Sequence, residues 1–291
     1  MVGVHDAVVC RQSLAGVRII NNKGWPGWDT HRGGVSTRWR RALRLLERER
    51  YIVKLLLIRH GQSQSNLAWI EGRKFSGGGD SALTPLGHDQ AHALARAFEQ
   101  GKLPRPDRLL SSLMVRAVQT VAPVSEALGM PVSGVLDVHE VGGVSRGDDG
   151  SPEGSAPVGS QSYPGLGRFE LSNWCPGIKL PPTVTEQGWY FRPVESREQG
   201  WRRAQQVASR LQEQYGPDEL IALVTHGLFI NFLLGVLAGW QPDLAAPTLD
   251  TWYQINNAGT LLLMSPGPYG ERLWIEWINR VDHMTPDQLT M

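Results

Sequence analysis

The sequence predicts an α/β protein, a three-layer α/β/α sandwich with a mostly parallel central sheet. Three observations predict it. "YIVKLLLI" (51–58) is a short apolar run suited to a strand buried on both faces, and "DRLLSS" (107–112) and "LIALVT" (220–225) read as further strands. Amphipathic stretches of helix length separate these runs, as parallel crossovers require. No segment repeats along the 291 residues, so one decorated domain is the economical reading.

Each element carries its own signals. "LTPLGHDQAHALARAFEQG" (83–101) is a helix with Thr84 as N-cap, Pro85 in the first turn and Gly101 as the stop. After the second strand, "MVRAVQTVAPVSEALG" (114–129) continues as a helix in which Pro123 predicts a kink. "VSGVLDV" (132–138) is a third, weaker strand. "SREQGWRRAQQVASRLQEQYG" (196–216) is a helix ending at Gly216, and "LFINFLLGVLAG" (228–239) another. "TWYQINNAGTLLLM" (251–264) and "RLWIEWINRV" (272–281) alternate as strands do, with a turn or bulge expected at Asn256–Gly259 between the halves of the first, adding an antiparallel edge late in the chain.

Two regions break this order. Residues 1–50 carry ten Lys/Arg against four acids, with no apolar segment of secretory type near the start. They read as a basic N-terminal arm, as an organelle transit peptide, or as sequence upstream of the true start; "TRWRRALRLLERER" has the pattern of a short surface helix. Residues 141–188 lose periodicity in a Gly/Ser/Pro-rich insertion, expected to form a lid over the site, with Arg168, Lys179 and Arg192 as candidate clamps. The folded domain is expected over 51–285.

Composition narrows the function classes. A net charge of +1 gives no global field for nucleic acid or an anionic membrane, so neither is an expected partner. Cys10 and Cys175 lack the spacing of a metal site or disulfide framework, which points to a reducing cytoplasm. No apolar stretch reaches the ~18–20 residues of a membrane span. The apolar edge strands near the C-terminus are the single hint of a homodimer.

The chemistry concentrates at strand ends, where open α/β sheets bind ligands. His60 follows "LLLI" and Arg59, and His226 follows "IALVT"; parallel strands would set both imidazoles on one rim. Each histidine precedes a glycine, Gly61 or Gly227, that lets backbone approach a ligand, and a helix N-terminus there favours an anion. Arg59 and Arg116 bring two guanidinium forks to that rim, a geometry suited to phosphate oxygens. The pocket calls for a phosphoryl group. The arginines supply the positive charge, so no metal or cofactor is implied.

"LIRHGQSQSN", "LTPLGHDQA", "SSLMVRAVQT", "DVHEVGG", "ESREQGWRR" and "VTHG" occur in an order that resembles the histidine phosphatase superfamily, the phosphoglycerate mutase-like proteins, over residues 52–280. The resemblance implies that His60 is the nucleophile forming a phosphohistidine. Arg59, Arg116, His226 and Gly227 would surround the phosphoryl oxygens, with His226 protonated, and Asn66 would line the same site unless it serves only as a helix cap. Glu140 would be the general acid, with Asp137, Asp148 and Glu186 as the other acids in range. The substrate would be a small phosphomonoester. The segments with which mutases of this family clasp phosphoglycerate are missing, so hydrolysis is the main expectation; mutase-type transfer and phosphate binding without catalysis are the alternatives.

Overall fold

The computed structural model describes residues 53–73, 80–144, 162–244, 253–265, 267 and 272–291. In chain order they form β1 (Val53–Arg59), α1 (Gln64–Ile70), α2 (Pro85–Glu99), β2 (Arg108–Ser112), α3 (Val115–Leu128) and β3 (Val132–Val135). There follow α4 (Arg168–Trp174), β4 (Ile178–Lys179), α5 (Arg197–Gln214), β5 (Leu220–Thr225), α6 (Gly227–Ala238), β6 (Thr260–Ser265) and β7 (Trp274–Arg280). The basic arm expected at 1–50 lies outside these residues.

The seven strands make one sheet in the order β4-β3-β2-β5-β1-β6-β7. β1, β2, β3, β4 and β5 pair in parallel; β6 and β7 run antiparallel at one edge. The two-residue period of β1 divides the core. Leu56 and Ile58 join one cluster with Leu94 and Phe98 of α2 and Val118 and Val121 of α3. Val53, Leu55 and Leu57 face the other way, with Ala204 and Val207 of α5 and Phe229 and Leu233 of α6. Helices therefore cover both faces, and the predicted three layers are present.

Local chemistry explains the boundaries. Thr84 caps α2 by accepting from the Gly87 N–H at 3.0 Å, with Pro85 next in line. Ser63 caps α1 and Ser196 caps α5, each in a reciprocal capping box. Gly129 ends α3 in the left-handed conformation at φ 60°.

Three expectations are corrected. The third strand stops at Val135 and tightens into a 3-10 turn over Leu136–Val138. As expected, α3 runs through Pro123 to Leu128, with Val118, Val121 and Val124 buried. Residues 253–259 of "TWYQINNAGTLLLM" are not strand. The turn expected at Asn256–Gly259 is present at Ala258 (φ 54°), whose N–H donates to the His60 carbonyl at 3.1 Å. The insertion, finally, is regular where it is described: β4 extends the sheet beside β3, and Leu171, Cys175 and Val184 enter the core. Arg168 is spent on the Val184 and Pro181 carbonyls, and Arg192 pairs with Asp137. The Gly/Ser-rich part of the expected lid, 145–161, including Asp148, lies outside the described residues.

Candidate active site

β1 and β5 are neighbours in register, Arg59 opposite Thr225, so the residues that follow them emerge side by side. The His60 N–H donates to the Thr225 carbonyl at 3.0 Å. The rings of His60 and His226 then lie 5.1 Å apart, centroid to centroid, both fully buried. β2 flanks β5 on its other side and ends at Ser112, and three residues later α3 begins, with Arg116 in its first turn. Three strand ends thus supply the pocket.

The His60 tautomer is set by its surroundings. Nδ1 lies 2.7 Å from the Gly61 carbonyl, an acceptor only, so Nδ1 carries the proton and Nε2 presents its lone pair. Arg116, buried, donates its Nε–H to that Nε2 at 3.1 Å. The Gly61 N–H is held by Thr120 Oγ1 of α3 at 2.9 Å. A Cβ on Gly61 would come within 2.5 Å of the Gly87 carbonyl oxygen, so only glycine lets this loop lie against the start of α2.

His226 is the N-cap of α6, and its Nε2 lies 2.8 Å from Ser112 Oγ. Its Nδ1 has no hydrogen-bond partner among the described residues. Burial, followed by the positive charge of Arg116 and the neighbouring His60, holds His226 well below the ordinary histidine range. In the resting protein this favours the neutral imidazole, and a doubly negative ligand would favour the protonated His226 expected beside a phosphoryl group. Arg59 is anchored by Nη1 on the Ile255 carbonyl at 2.7 Å, and a Cβ on Gly227 would sit 3.4 Å from its Nε.

Glu140 is buried beside the start of α6. Its Oε1 accepts from the Val141 N–H at 2.8 Å and the Phe229 N–H at 2.9 Å, and its Oε2 from the Leu228 N–H at 3.2 Å. The protein's own Glu140 carboxyl thus takes up N–H groups at the start of α6, beside the histidine that caps it. Asn66 lies one bond further out. Its Oδ1 accepts from Ser63 in the α1 capping box and from Asn257 Nδ2, which also reaches the His60 carbonyl at 3.2 Å. Asp137 is turned to Arg192 and Arg210, and Glu186 caps the start of α4 through the Phe169 N–H.

His60, Arg116 and His226 thus meet, Arg59 and Gly227 adjoin one another, and Glu140 stands at the same helix start. Sequence reasoning missed Ser112, Asn257, Asp80 and Arg203. Asp80 Oδ1 accepts from the Val115 N–H at 2.9 Å and caps α3, whose own N-cap, Met114, has no suitable side chain. Burial of its carboxyl, partly offset by Arg116, raises Asp80 to about 6. Among the described residues, no group of three or more His, Cys, Asp or Glu side chains could hold a metal ion, and no helix is long and apolar enough to cross a membrane.

A buried pair of histidines among arginines and an enclosed carboxylate is suited to receiving and releasing a phosphoryl group. A 2,3-bisphosphoglycerate-dependent phosphoglycerate mutase of Chelativorans sp. is 39% identical over 128 residues, 44% of this chain and 57% of the relative. A phosphoserine phosphatase 2, so named provisionally, of Hydrogenobacter thermophilus is 43% identical over 76 residues, 26% of this chain and 34% of the relative. The matches thus span about half or less of these curated relatives. Among solved structures, a mycobacterial glucosyl-3-phosphoglycerate phosphatase is 21% identical with a TM-score of 0.48, covering 79% of this chain and 100% of that one. A phosphoserine phosphatase of Entamoeba histolytica in complex with 3-phosphoglyceric acid is 20% identical with a TM-score of 0.47, covering 79% and 98%. The sequence profile of the histidine phosphatase superfamily (branch 1) matches residues 55–143 and 180–256, more than half of the chain. The chain belongs to the histidine phosphatase superfamily.

Proposed function

We propose that the protein is a metal-independent phosphomonoester hydrolase that works through a phosphohistidine on His60. The observation that carries this reading is the tautomer: Nδ1–H is fixed on the Gly61 carbonyl, and Nε2 offers its lone pair at the Arg116 guanidinium. A phosphoryl dianion would take over the Arg116 N–H bond, with Arg59 and a newly protonated His226 neutralising its remaining oxygens. Nε2 then attacks phosphorus as the bond to the leaving oxygen breaks.

The leaving alkoxide needs a proton, for which Glu140 is the buried acid at hand. Its Oε2 has the longest of the three amide contacts and is the oxygen to carry that proton. Glu140 afterwards accepts a proton from water as water attacks the phosphohistidine, releasing inorganic phosphate and neutral His60. The small phosphorylated substrate is defined here only by its phosphoryl end.

Transfer between phosphoglycerates is the second reading, favoured by the identity to the mutase relative. The test is hydrolysis of p-nitrophenyl phosphate in the presence of EDTA. Phosphate release that His60→Ala abolishes is expected; unchanged release in that variant overturns the assignment. A product assay with 3-phosphoglycerate separates transfer from hydrolysis.

A further inference from the structure

The "ESREQGWRR" segment contributes nothing to the pocket lining described above, yet it puts an arginine beneath the acid. Arg203 of α5 is buried and ion-paired with Glu195 through both Nη2 and Nε, the latter 3.1 Å from Oε2. Its Nη1 donates to the carbonyls of Asp137 and His139, each at 2.9 Å, and Nη2 approaches the Glu140 carbonyl at 3.5 Å. The guanidinium carbon also lies 4.7 Å from the centre of the Phe229 ring. Phe229 is the residue whose N–H holds Glu140 Oε1.

One planar cation therefore grips the backbone on which Glu140 sits and packs on the residue that holds its carboxylate. Only a fork can do this: Nη1 serves two carbonyls while Nε and Nη2 hold the Glu195 carboxylate. Gly200, one turn before Arg203, keeps α5 close, since a Cβ there would lie 2.9 Å from Val141 Cγ1. Without the fork, the segment 137–140 keeps its strand-end anchor, Thr225 Oγ1 donating to the Val138 carbonyl at 2.6 Å, but loses the contacts that set the Glu140 peptide.

We infer that Arg203, braced by Glu195, is a positioning residue for Glu140, setting the acid against the leaving group without touching substrate. The inference rests on the hydrolase reading above. Its signature is selectivity by leaving group: p-nitrophenolate departs without a proton, whereas an alkoxide does not. kcat/KM reports steps through the first phosphoryl transfer, so it isolates the acid's role.

The experiment compares kcat/KM for p-nitrophenyl phosphate and glycerol 3-phosphate in wild type, Arg203→Lys, Arg203→Met, Glu195→Gln and Glu140→Gln. Vanadate-induced thermal shift checks that each variant is folded. The expected result is a loss on the order of 10²-fold with the alkyl ester in Arg203→Met, approaching the loss in Glu140→Gln, which serves as the reference for removal of the acid, while the aryl ester is little changed in Arg203→Met. Arg203→Lys and Glu195→Gln should show the same selectivity in smaller degree, and carry the test if Arg203→Met does not fold. Equal losses on both esters in the folded Arg203 variants would overturn the inference while leaving the hydrolase reading intact. A wild type that hydrolyses neither ester would overturn the hydrolase reading itself.

Discussion

Arg116 gives its Nε–H to His60 Nε2 at 3.1 Å, so the resting protein keeps the nucleophile's lone pair under a cation. A phosphoryl group must replace the imidazole as the partner of that N–H before attack begins. Arg116→Ala should therefore lower kcat/KM for p-nitrophenyl phosphate by about 10²–10³-fold, the range for removing one preorganised donor to a developing charge. Arg116→Lys should recover only part of this, because an ammonium lacks the fork. Steady-state kinetics check both.

His226 couples ligand binding to protons. Burial, then Arg116 and His60, keep it neutral at rest, and a bound dianion favours its charged form. Binding should consequently take up a proton near neutral pH, and phosphate affinity should fall as pH rises. Calorimetric titration of inorganic phosphate in two buffers of different ionisation enthalpy measures the uptake. It should exceed that of His226→Asn, and equal values in the two proteins would refute the coupling.

Acid sensitivity follows from the same burial. His139 and His226 are held well below 6.5 and His283 is lowered to about 4, in each case chiefly by burial. The unfolded chain binds protons at these histidines that the native protein refuses, so their stability contribution is full above 6.5 and lost as pH falls below it. Asp80, raised to about 6, acts in the opposite sense: the cost of its buried charge grows as pH rises from 3.8 through about 6. Three histidines outweigh one carboxyl, so the melting temperature should drop on acidification below 6.5. In Asp80→Asn, which keeps an acceptor for the Val115 N–H, the drop should be steeper because the opposing relief is gone.

Glu140 has a structural duty besides its proposed chemistry. Its carboxylate closes the start of α6 by accepting the Leu228 and Phe229 N–H bonds. Glu140→Ala should cost about 1 kcal/mol or more of folding free energy, in the range of a lost N-cap, and Glu140→Gln less, since one carbonyl oxygen remains. Denaturant unfolding of the two variants checks the order. A fully stable alanine variant would show that the cap contributes nothing.

Much of this was legible in the sequence because it depends on local pattern. "LLLIRHG" and "LVTHG" are buried strands ending in paired histidines, and parallel register brings such ends together. Thr84 and Pro85 announced α2 for the same local reason. What stayed hidden depends on long-range partners. Glu140 accepts two N–H groups of α6, and Asn257 turns back to His60 across nearly two hundred residues. α4 and β4 lacked a strong pattern, since β4 is two residues long and takes its stability from the edge of β3. Asp80 caps a helix that begins well downstream of it, a link no spacing rule provides.

Mass spectrometric mapping of the protein quenched during turnover of p-nitrophenyl phosphate tests the central claim most directly. The account predicts an acid-labile phosphoryl group on the peptide that contains His60, absent from the His60→Ala protein. Label on a different residue, or steady turnover with His60 never modified, would contradict it.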